Sequence, residues 1–426
     1  MPEVVVIGAG MAGAIAALSA KNAGASVLVI RRALGATALS SGAIDVAADP
    51  AAPAGDSAAQ GIPFEEAARK VARARPDHPY AVLERKLSRL SEALKFAAGH
   101  LAGLLSNPTG KNVLLPTPLG TVKPTAMAQL SQFGADLAAL PNRAAVVQFA
   151  QISLFDGRLV TAGLEAAALR IGRKLEVRLI TSHLFGQLED VHRSPFQLAE
   201  AFEAPDRLRK LAEELRRSIP DGVEALLLPP LMGALSPDIA SRLGEMIGGI
   251  PCFEILAGSN SVPGLRLQAA LDAALKREQI VVTQDDASAG VGPGELSLSS
   301  GGHLGSPGTV LATGRFIGGG ISRHGVFRET VFGLPVFAAR QELRGQSLDH
   351  LQGEKFTDGQ EVFRAGIRID SELRALGPTG RPVSNHLFAA GSVIGGYDPA
   401  SDKTGLGVAI LTGYLSGEAA ARVGRE

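Results

Sequence analysis

Three glycines close to the start of the chain, Gly8, Gly10 and Gly13, have the spacing G-x-G-x-x-G. In a dinucleotide-binding turn the first glycine permits the tight turn, the second lets the backbone approach a pyrophosphate, and the third allows close helix–strand packing. A helix that begins at such a turn points its unpaired N–H groups at the anion. The residues predicted to hold a pyrophosphate are Gly8, Ala9, Gly10, Met11, Ala12 and Gly13.

The segments around this turn have the pattern that the motif requires. Residues 4–7 are a β-branched run typical of a strand buried on both faces, residues 14–21 an alanine-rich helix, and residues 26–30 a second strand. A glycine-rich turn in an apolar core is the alternative, which the complete strand–turn–helix context disfavours. A membrane or signal segment is also disfavoured, because no basic region precedes the stretch and alanine and glycine are weakly hydrophobic.

The second predicted strand ends in Arg31 and Arg32, where this kind of fold normally places an acidic residue for the adenosine ribose. Arginine cannot accept a hydrogen bond from ribose hydroxyls, but it can pair with phosphate. Two solvated surface arginines are the alternative interpretation. The sequence therefore leaves the adenosine half of the site open.

Further polar and glycine-rich turns follow other predicted strands. Ser40, Ser41 and Gly42 form a turn that can hydrogen-bond a heterocycle edge or a phosphate. In the C-terminal part, short apolar strands end in Thr-Gly and Gly-Ser, and a helix is predicted over residues 408–423. The cofactor-binding residues predicted from these turns are Thr313, Gly314, Gly391, Ser392, Asp398, Lys403, Gly405, Leu406, Gly407 and Val408.

Two helix N-termini at glycine-rich turns, one near each end of the chain, favour a flavin. The first suits a pyrophosphate, and the second suits the pyrimidine end of an isoalloxazine ring, where negative charge gathers on reduction. Gly405 and Gly407 would let the backbone approach the ring closely. We therefore expect both turns to meet at one cofactor.

Composition limits the remaining possibilities. The 426 residues include 42 basic and 42 acidic side chains, so no net field attracts nucleic acid or an anionic membrane. The single cysteine, Cys252, cannot form an internal disulfide, a cysteine-based zinc site or an iron–sulfur centre, and no metal site is predicted. A reducing, cytoplasmic setting is expected. No apolar run is long enough to span a membrane, so membrane contact would come through partners or a surface helix.

Together these segments predict an α/β protein, a Rossmann-like FAD/NAD(P)-binding three-layer flavoprotein fold with an inserted α+β cap domain. The predicted flavin-binding domain is discontinuous, over residues 1–50 and 262–426. Residues 51–261 are predicted to form the inserted cap or substrate domain.

The chain resembles the B-subunit family of anaerobic glycerol-3-phosphate dehydrogenase, which has the glutathione-reductase type of flavoprotein fold. The resemblance runs from the first strand to the last helix. Residues 403–407 depart from it, because the family tends to have a more glycine-rich turn there. The segments that carry the resemblance are residues 39–45, 78–80, 117–121, 318–321, 328–329 and, most diagnostic, 391–399.

This resemblance implies a flavin subunit of a membrane-associated complex that oxidises glycerol 3-phosphate to dihydroxyacetone phosphate and passes electrons to quinone. In that family another flavoprotein subunit holds the principal dehydrogenase flavin, and iron–sulfur centres lie in a further subunit. The B subunits are credited with FMN. FAD is nevertheless our first expectation and FMN the alternative, because a pyrophosphate-binding turn has little use for FMN.

Oxidation of an alcohol requires a base near the carbinol, and a phosphorylated substrate requires cations. His324 is the candidate base, and Arg323 and Arg328 are candidates for the anion. In the alternative interpretation, the arginine at position 328 forms a surface ion pair and His324 caps a turn. For the whole chain, the alternatives are a stand-alone flavoprotein dehydrogenase of another hydroxy substrate and a flavin-less scaffold subunit.

Overall fold

A computed structural model describes residues 2–48, 62–150, 152, 155–185, 192–290, 295–305, 308–338, 341–355 and 360–424. Short 3₁₀ turns also occur, the first at Ala36–Leu39. The described strands are β1 Val4–Ile7, β2 Val27–Arg31, β3 Val113–Pro116, β4 Val122–Thr125, β5 Arg143–Phe149, β6 Glu176–Ser182, β7 Ala225–Leu228, β8 Cys252–Glu254, β9 Val281–Gln284, β10 Ala287–Ala289, β11 Glu295–Leu298, β12 His303–Gly305, β13 Gly308–Leu311, β14 Ile321–His324, β15 Val326–Glu329, β16 Phe337–Ala338, β17 Gln341–Glu342 and β18 Leu387–Ala389. The described helices are α1 Met11–Asn22, α2 Phe64–Ala74, α3 Pro79–Val82, α4 Leu90–His100, α5 Leu130–Phe133, α6 Gly157–Arg170, α7 Pro195–Ala201, α8 Pro205–Ser218, α9 Ile239–Met246, α10 Val262–Arg277, α11 Pro399–Asp402 and α12 Gly405–Val423.

The β-branched run at the start of the chain forms the middle of a five-stranded sheet. The strand order is β18-β13-β1-β2-β9, and every neighbouring pair is parallel. All four residues of β1 are buried, as expected for a strand that is covered on both faces. Because the strands are parallel, their carboxyl ends meet at the same edge of the sheet, which is where α/β folds bind ligands.

A second parallel sheet, in the order β6-β5-β7-β8, lies in the middle of the chain. Successive side chains of its strand β5 point alternately into two hydrophobic cores, because neighbouring residues of a strand face opposite sides of the sheet. Val147 and Phe149 pack with Phe202 on one side, whereas Val146 packs with Leu164 on the other. The second sheet is linked to α10 by a buried ion pair between Glu254, at the end of β8, and Arg266, 2.8 Å apart.

The predicted division of the chain at residues 51 and 262 stays a prediction. The four strands of the second sheet all fall within residues 143–254, inside the predicted insertion. Side chains of α2 and α4, such as Phe64 and Leu94, belong instead to the same hydrophobic core as β1. We therefore propose that the insertion begins its separate packing after α4, with residues 62–105 joined to the core of the first sheet.

Helix α12 crosses α1 at unusually short range because small residues line the contact. A Cβ atom at Gly413 would lie 2.4 Å from the Ala12 carbonyl oxygen, and one at Gly417 only 2.2 Å from the Ala16 carbonyl oxygen. The Ser19 hydroxyl donates a 2.7 Å hydrogen bond to the Tyr414 carbonyl across the same crossing. The glycine content of the last helix is thus a packing requirement.

Among the helices of the described residues, none has both the length and the apolar character that crossing a membrane requires.

Replacing Gly417 by alanine should destabilise the protein by about 1–3 kcal/mol, because the new methyl group overpacks the crossing. Gly99 of α4 is the matched control, since it is helical and exposed, and a Cβ there meets no atom within 4 Å. Gly99→Ala should stabilise the protein by about 0.5–1 kcal/mol. Urea denaturation measures both. Equal effects of the two substitutions would contradict the close helix crossing.

Candidate cofactor and substrate site

A cavity of about 640 Å³ opens at the carboxyl edge of the five-stranded sheet. This volume is in the range of small-molecule and cofactor sites. The predicted cofactor-binding residues that line it are Gly8, Ala9, Gly10, Met11, Ala12, Arg32, Ser40, Ser41, Thr313, Gly314, Gly391, Ser392, Gly405 and Leu406. The structure therefore brings the two glycine-rich turns, from opposite ends of the chain, to one cavity.

The β1–α1 turn has the backbone geometry that its three glycines predict. Gly8 has a φ of +112°, and a Cβ there would lie 2.2 Å from the Ala312 carbonyl oxygen. A Cβ at Gly13 would lie 1.8 Å from the Gly8 carbonyl oxygen, so Gly13 allows the helix to pack against the turn. Gly10 precedes the helix in an extended conformation. The N-terminus of α1 thus points its amides into the cavity, as an anion site requires.

Thr37 contributes to this turn in a way that the sequence did not indicate. Its hydroxyl accepts a 2.9 Å hydrogen bond from the Met11 N–H, and a Cβ at Gly10 would lie 3.1 Å from the same oxygen. The hydroxyl therefore satisfies one of the first amides of α1, and a side chain at residue 10 would crowd it. Thr37 belongs to the same 3₁₀ turn that leads to Ser40.

The second turn, at the start of α12, is held by backbone contacts to residues 45 and 46. The Gly407 N–H donates a 2.8 Å hydrogen bond to the Asp45 carbonyl. A Cβ at Gly407 would lie 2.7 Å from the Cα of Val46. Gly405 and Leu406 line the cavity, whereas Gly407 faces this packing contact. The close approach that we expected between Gly407 and a ring is therefore an approach to protein backbone.

The remaining predicted residues outside the cavity lining serve packing and local structure. Gly42 lies against Pro263, and Arg31 forms a 2.8 Å ion pair with Asp272 of α10. Asp398 caps α11 by accepting from the Ala400 N–H at 3.0 Å. The predicted residues that do not line the cavity are Gly13, Arg31, Gly42, Asp398, Lys403, Gly407 and Val408. Direct cofactor binding by any of the predicted residues stays a prediction.

His78 connects α3 to the start of α12. Its Nδ1 accepts a 3.0 Å hydrogen bond from the Tyr80 N–H, so Nε2 carries the proton and faces the Thr404 hydroxyl at 3.3 Å. Burial and the charges of Arg75 and Arg364 lower the pKa of His78 to about 3. The imidazole is thus neutral and caps α3.

Charged groups gather at the cavity wall beside α12. Asp45 and Lys123 form an ion pair, and both line the cavity. The Asp45 Oδ1 atom is buried and has no hydrogen-bond partner among the described residues. Burial and the nearby charge of Lys123 lower the pKa of Lys403, which lies next to the last helix with a φ of +52°. Lys123 and Asp45 therefore meet at this wall, while Lys403 lies outside the cavity lining, near the carboxylates of Asp45, Asp398 and Asp402.

The predicted catalytic residues lie on the β14–β15 hairpin, and the structure does not bring them into the cavity lining. Arg323 and His324 are exposed. Arg328 is half-buried, 3.4 Å from Glu342. The base of the hairpin, at Gly319, does reach the cavity. A catalytic function for Arg323, His324 and Arg328 stays a prediction.

The described residues fit a flavin dinucleotide. The turn at Gly10 offers helix amides to a pyrophosphate, and Ser40 and Ser41 offer hydroxyls from the opposite wall. The Thr313 Oγ1 atom, at the end of β13, is buried in the cavity wall without a partner among the described residues. This oxygen packs against Gly320, where a Cβ would lie 2.4 Å from it. Among the described residues no group of acidic, histidine or cysteine side chains could hold a metal ion.

A parallel sheet with a glycine-rich turn and two helix N-termini at one cavity defines a Rossmann-like dinucleotide-binding flavoprotein, a class of oxidoreductases. The family model for the FAD binding domain matches residues 3–192 and 309–408. The B subunit of a probable anaerobic glycerol-3-phosphate dehydrogenase of Halobacterium salinarum is 30% identical, over 98% of this chain and 97% of that protein. The chain therefore belongs to the FAD-binding family and, within it, groups with the B subunits of anaerobic glycerol-3-phosphate dehydrogenases, as the sequence predicts.

Two further similarities are found. The B subunit of the anaerobic glycerol-3-phosphate dehydrogenase of Pectobacterium carotovorum is 27% identical, over 96% of each chain. Among solved structures, the open conformation of a flavocytochrome c3 fumarate reductase has a TM-score of 0.45 and 12% identity, covering 100% of this chain and 79% of that one. The FAD-binding family confirms the expected α/β flavoprotein fold and FAD as the cofactor.

His78 should make the protein less stable in mild acid. Its pKa is about 3 in the folded chain and about 6.5 when unfolded, so the unfolded chain binds more protons between these values. Lowering the pH from 7 to 5 should therefore remove about 2 kcal/mol of folding free energy through this residue. His78→Asn retains an acceptor for the Tyr80 N–H but does not titrate. Relative to wild type, the variant should gain about 2 kcal/mol over this pH interval in urea denaturation; identical pH dependence would contradict the assignment.

Proposed function

We propose that this chain oxidises glycerol 3-phosphate to dihydroxyacetone phosphate as the B subunit of a multi-subunit dehydrogenase. The names of its relatives support the substrate. The observation that carries the proposal is the charged wall beside the start of α12, where Lys123 and Asp45 form an ion pair and both line the cavity. A phosphorylated polyol needs cations for its phosphate and a proton acceptor for its carbinol, and this wall offers both.

Each of these side chains has a distinct task in the proposed reaction. Oxidation of the secondary alcohol removes a hydride from carbon and a proton from the hydroxyl, and bound FAD supplies the hydride acceptor. Lys123 holds the phosphate, and the Asp45 carboxylate accepts the hydroxyl proton. The N-terminus of α12 adds a positive electrostatic potential at the same wall. Its position is fixed by the Gly407 hydrogen bond to the Asp45 carbonyl, so base and helix cannot separate.

The residues predicted from the sequence, His324 as base with Arg323 and Arg328 for the anion, are the second candidate set. Their support is the glycine-rich stretch that precedes them and reaches the cavity at Gly318 and Gly319. The exposed position of His324 favours the Asp45 wall over this hairpin. The two sets of residues predict that different variants lose flavin reduction, so an experiment can distinguish them.

The electron acceptor is proposed to lie beyond this chain. Cys252 is the only cysteine of the sequence, and burial raises the pKa of its thiol to about 12. One protonated thiol cannot hold an iron–sulfur cluster. We therefore infer that a partner iron–sulfur subunit, together with a catalytic flavoprotein subunit, carries electrons to quinone. Such a complex would stay in the cytoplasm and contact the inner membrane through its partner subunits.

Lys123→Met should raise the glycerol 3-phosphate concentration for half-maximal flavin reduction at least about 10-fold, because a charge-assisted contact to the phosphate is lost. The measurement is an anaerobic titration of the FAD absorbance of the purified protein, alone and with its partner subunits. Lys86→Met is the matched control, since Lys86 pairs with Glu372 at the surface. It should titrate like wild type.

The same titration distinguishes the remaining possibilities. If His324→Ala abolishes flavin reduction while Lys123→Met titrates like wild type, the catalytic residues lie on the β14–β15 hairpin and not at the Asp45 wall. Rapid turnover of a different hydroxy substrate by the chain alone would favour the stand-alone dehydrogenase. A protein that stays colourless with excess FAD would be the scaffold subunit.

A further inference from the structure

The end of β2 lacks the carboxylate that dinucleotide-binding folds of this type use for the adenosine ribose. Arg31 and Arg32 stand there instead, and they have different surroundings. Arg31 is held in a bidentate contact by Asp272, with both N–O distances at 2.8 Å. Arg32 lines the cavity. The adenosine end of the site thus contains a cation where an acceptor is needed.

Two aspartates reach the same edge from the neighbouring strand. Strand β9 is parallel to β2, with Gln284 opposite Arg31, so Asp285 and Asp286 follow at the carboxyl edge. The Asp285 N–H donates a 3.2 Å hydrogen bond to the Arg31 carbonyl, which continues the ladder past the strand. Both aspartates line the cavity next to Arg32.

The two carboxylates differ in the hydrogen bonds that they already accept. Asp285 accepts from the Ser300 hydroxyl and, at 2.8 Å, from the Asp286 N–H, and these hydrogen bonds lower its pKa. The Asp286 carboxylate has no hydrogen bond from the described residues. Its cationic neighbour is Arg32, whose Nε lies 3.6 Å away, at ion-pair distance. Asp286 therefore keeps acceptor capacity that faces the cavity.

Arg32 keeps the Asp286 side chain at the cavity wall. A Cβ at Gly319 would lie 1.9 Å from an Arg32 nitrogen, so the guanidinium rests directly on the backbone of this glycine. A cation fixed at this position attracts the carboxylate toward the end of β2. Strand β9 can thus present an acceptor close to the end of β2, where this kind of fold normally supplies one.

We propose that Asp286, supplied by β9 and positioned by Arg32, accepts the hydrogen bonds of the adenosine ribose of FAD. The proposal rests on FAD as the cofactor and is independent of the substrate. It makes Asp286 a residue that selects FAD over FMN, because FMN has no adenosine.

The test compares the dissociation constants of FAD and FMN for the purified apoprotein, followed by quenching of flavin fluorescence. Asp286→Asn should weaken FAD binding about 10-fold, because a neutral amide oxygen accepts a weaker hydrogen bond than a carboxylate, and leave FMN binding unchanged. Asp206→Asn is the matched control. Asp206 is also an exposed aspartate paired with an arginine, with Arg209 Nη1 at 3.0 Å, but it lies on α8.

An FAD analogue with 2′-deoxyadenosine gives a second, independent readout. Wild type should bind this analogue about 10-fold more weakly than FAD, and the difference between the two ligands should be smaller in Asp286→Asn. An equal loss of FAD and FMN affinity in Asp286→Asn would overturn the proposal, as would unchanged FAD affinity. Flavin reduction by glycerol 3-phosphate is not part of this readout, so a wrong substrate assignment would leave the result intact.

Discussion

The close crossing of α1 and α12 is the contact on which the site depends. Gly413 and Gly417 let the last helix lie against the Ala12 and Ala16 carbonyls of the first. The first turns of both helices consequently reach the same edge of the sheet, although nearly 400 residues of chain separate them. Since the interior of a protein is close-packed, a side chain at this crossing would shift one helix relative to the other. The cavity would then lose one of its two walls.

Buried polar residues fix the rest of the cavity wall around these helices. His78 faces Thr404 at the start of α12, and Tyr80 donates a 2.8 Å hydrogen bond to the Val46 carbonyl. The backbone of Asp45 holds Gly407, while its side chain meets Lys123 in the cavity. Low dielectric makes such contacts strong only when each group is satisfied. Asp45 Oδ1 is one of several buried polar atoms without a partner among the described residues.

Local sequence patterns predicted most of the elements that build the site. The strand predicted over residues 4–7 occurs as Val4–Ile7, and the second strand, predicted over residues 26–30, occurs as Val27–Arg31. The last helix begins three residues earlier than predicted, at Gly405 instead of residue 408. Its two glycines lowered the helical signal there, because glycine is a poor helix former. Tertiary packing against Asp45 and Val46 overrides that preference.

The sequence by itself determined the glycine-rich turn, the parallel sheet and the flavin cofactor, because these depend on residue types at short, fixed spacings. Only the tertiary structure decided which polar side chains meet at the cavity. Lys123 and Asp45 come from distant segments, and Asp286 reaches the end of β2 through the pairing of β9 with β2. Two aspartates after a predicted strand were visible in the sequence. The sequence does not show that these aspartates lie beside the end of β2, because strand order is set by long-range packing and leaves no local pattern.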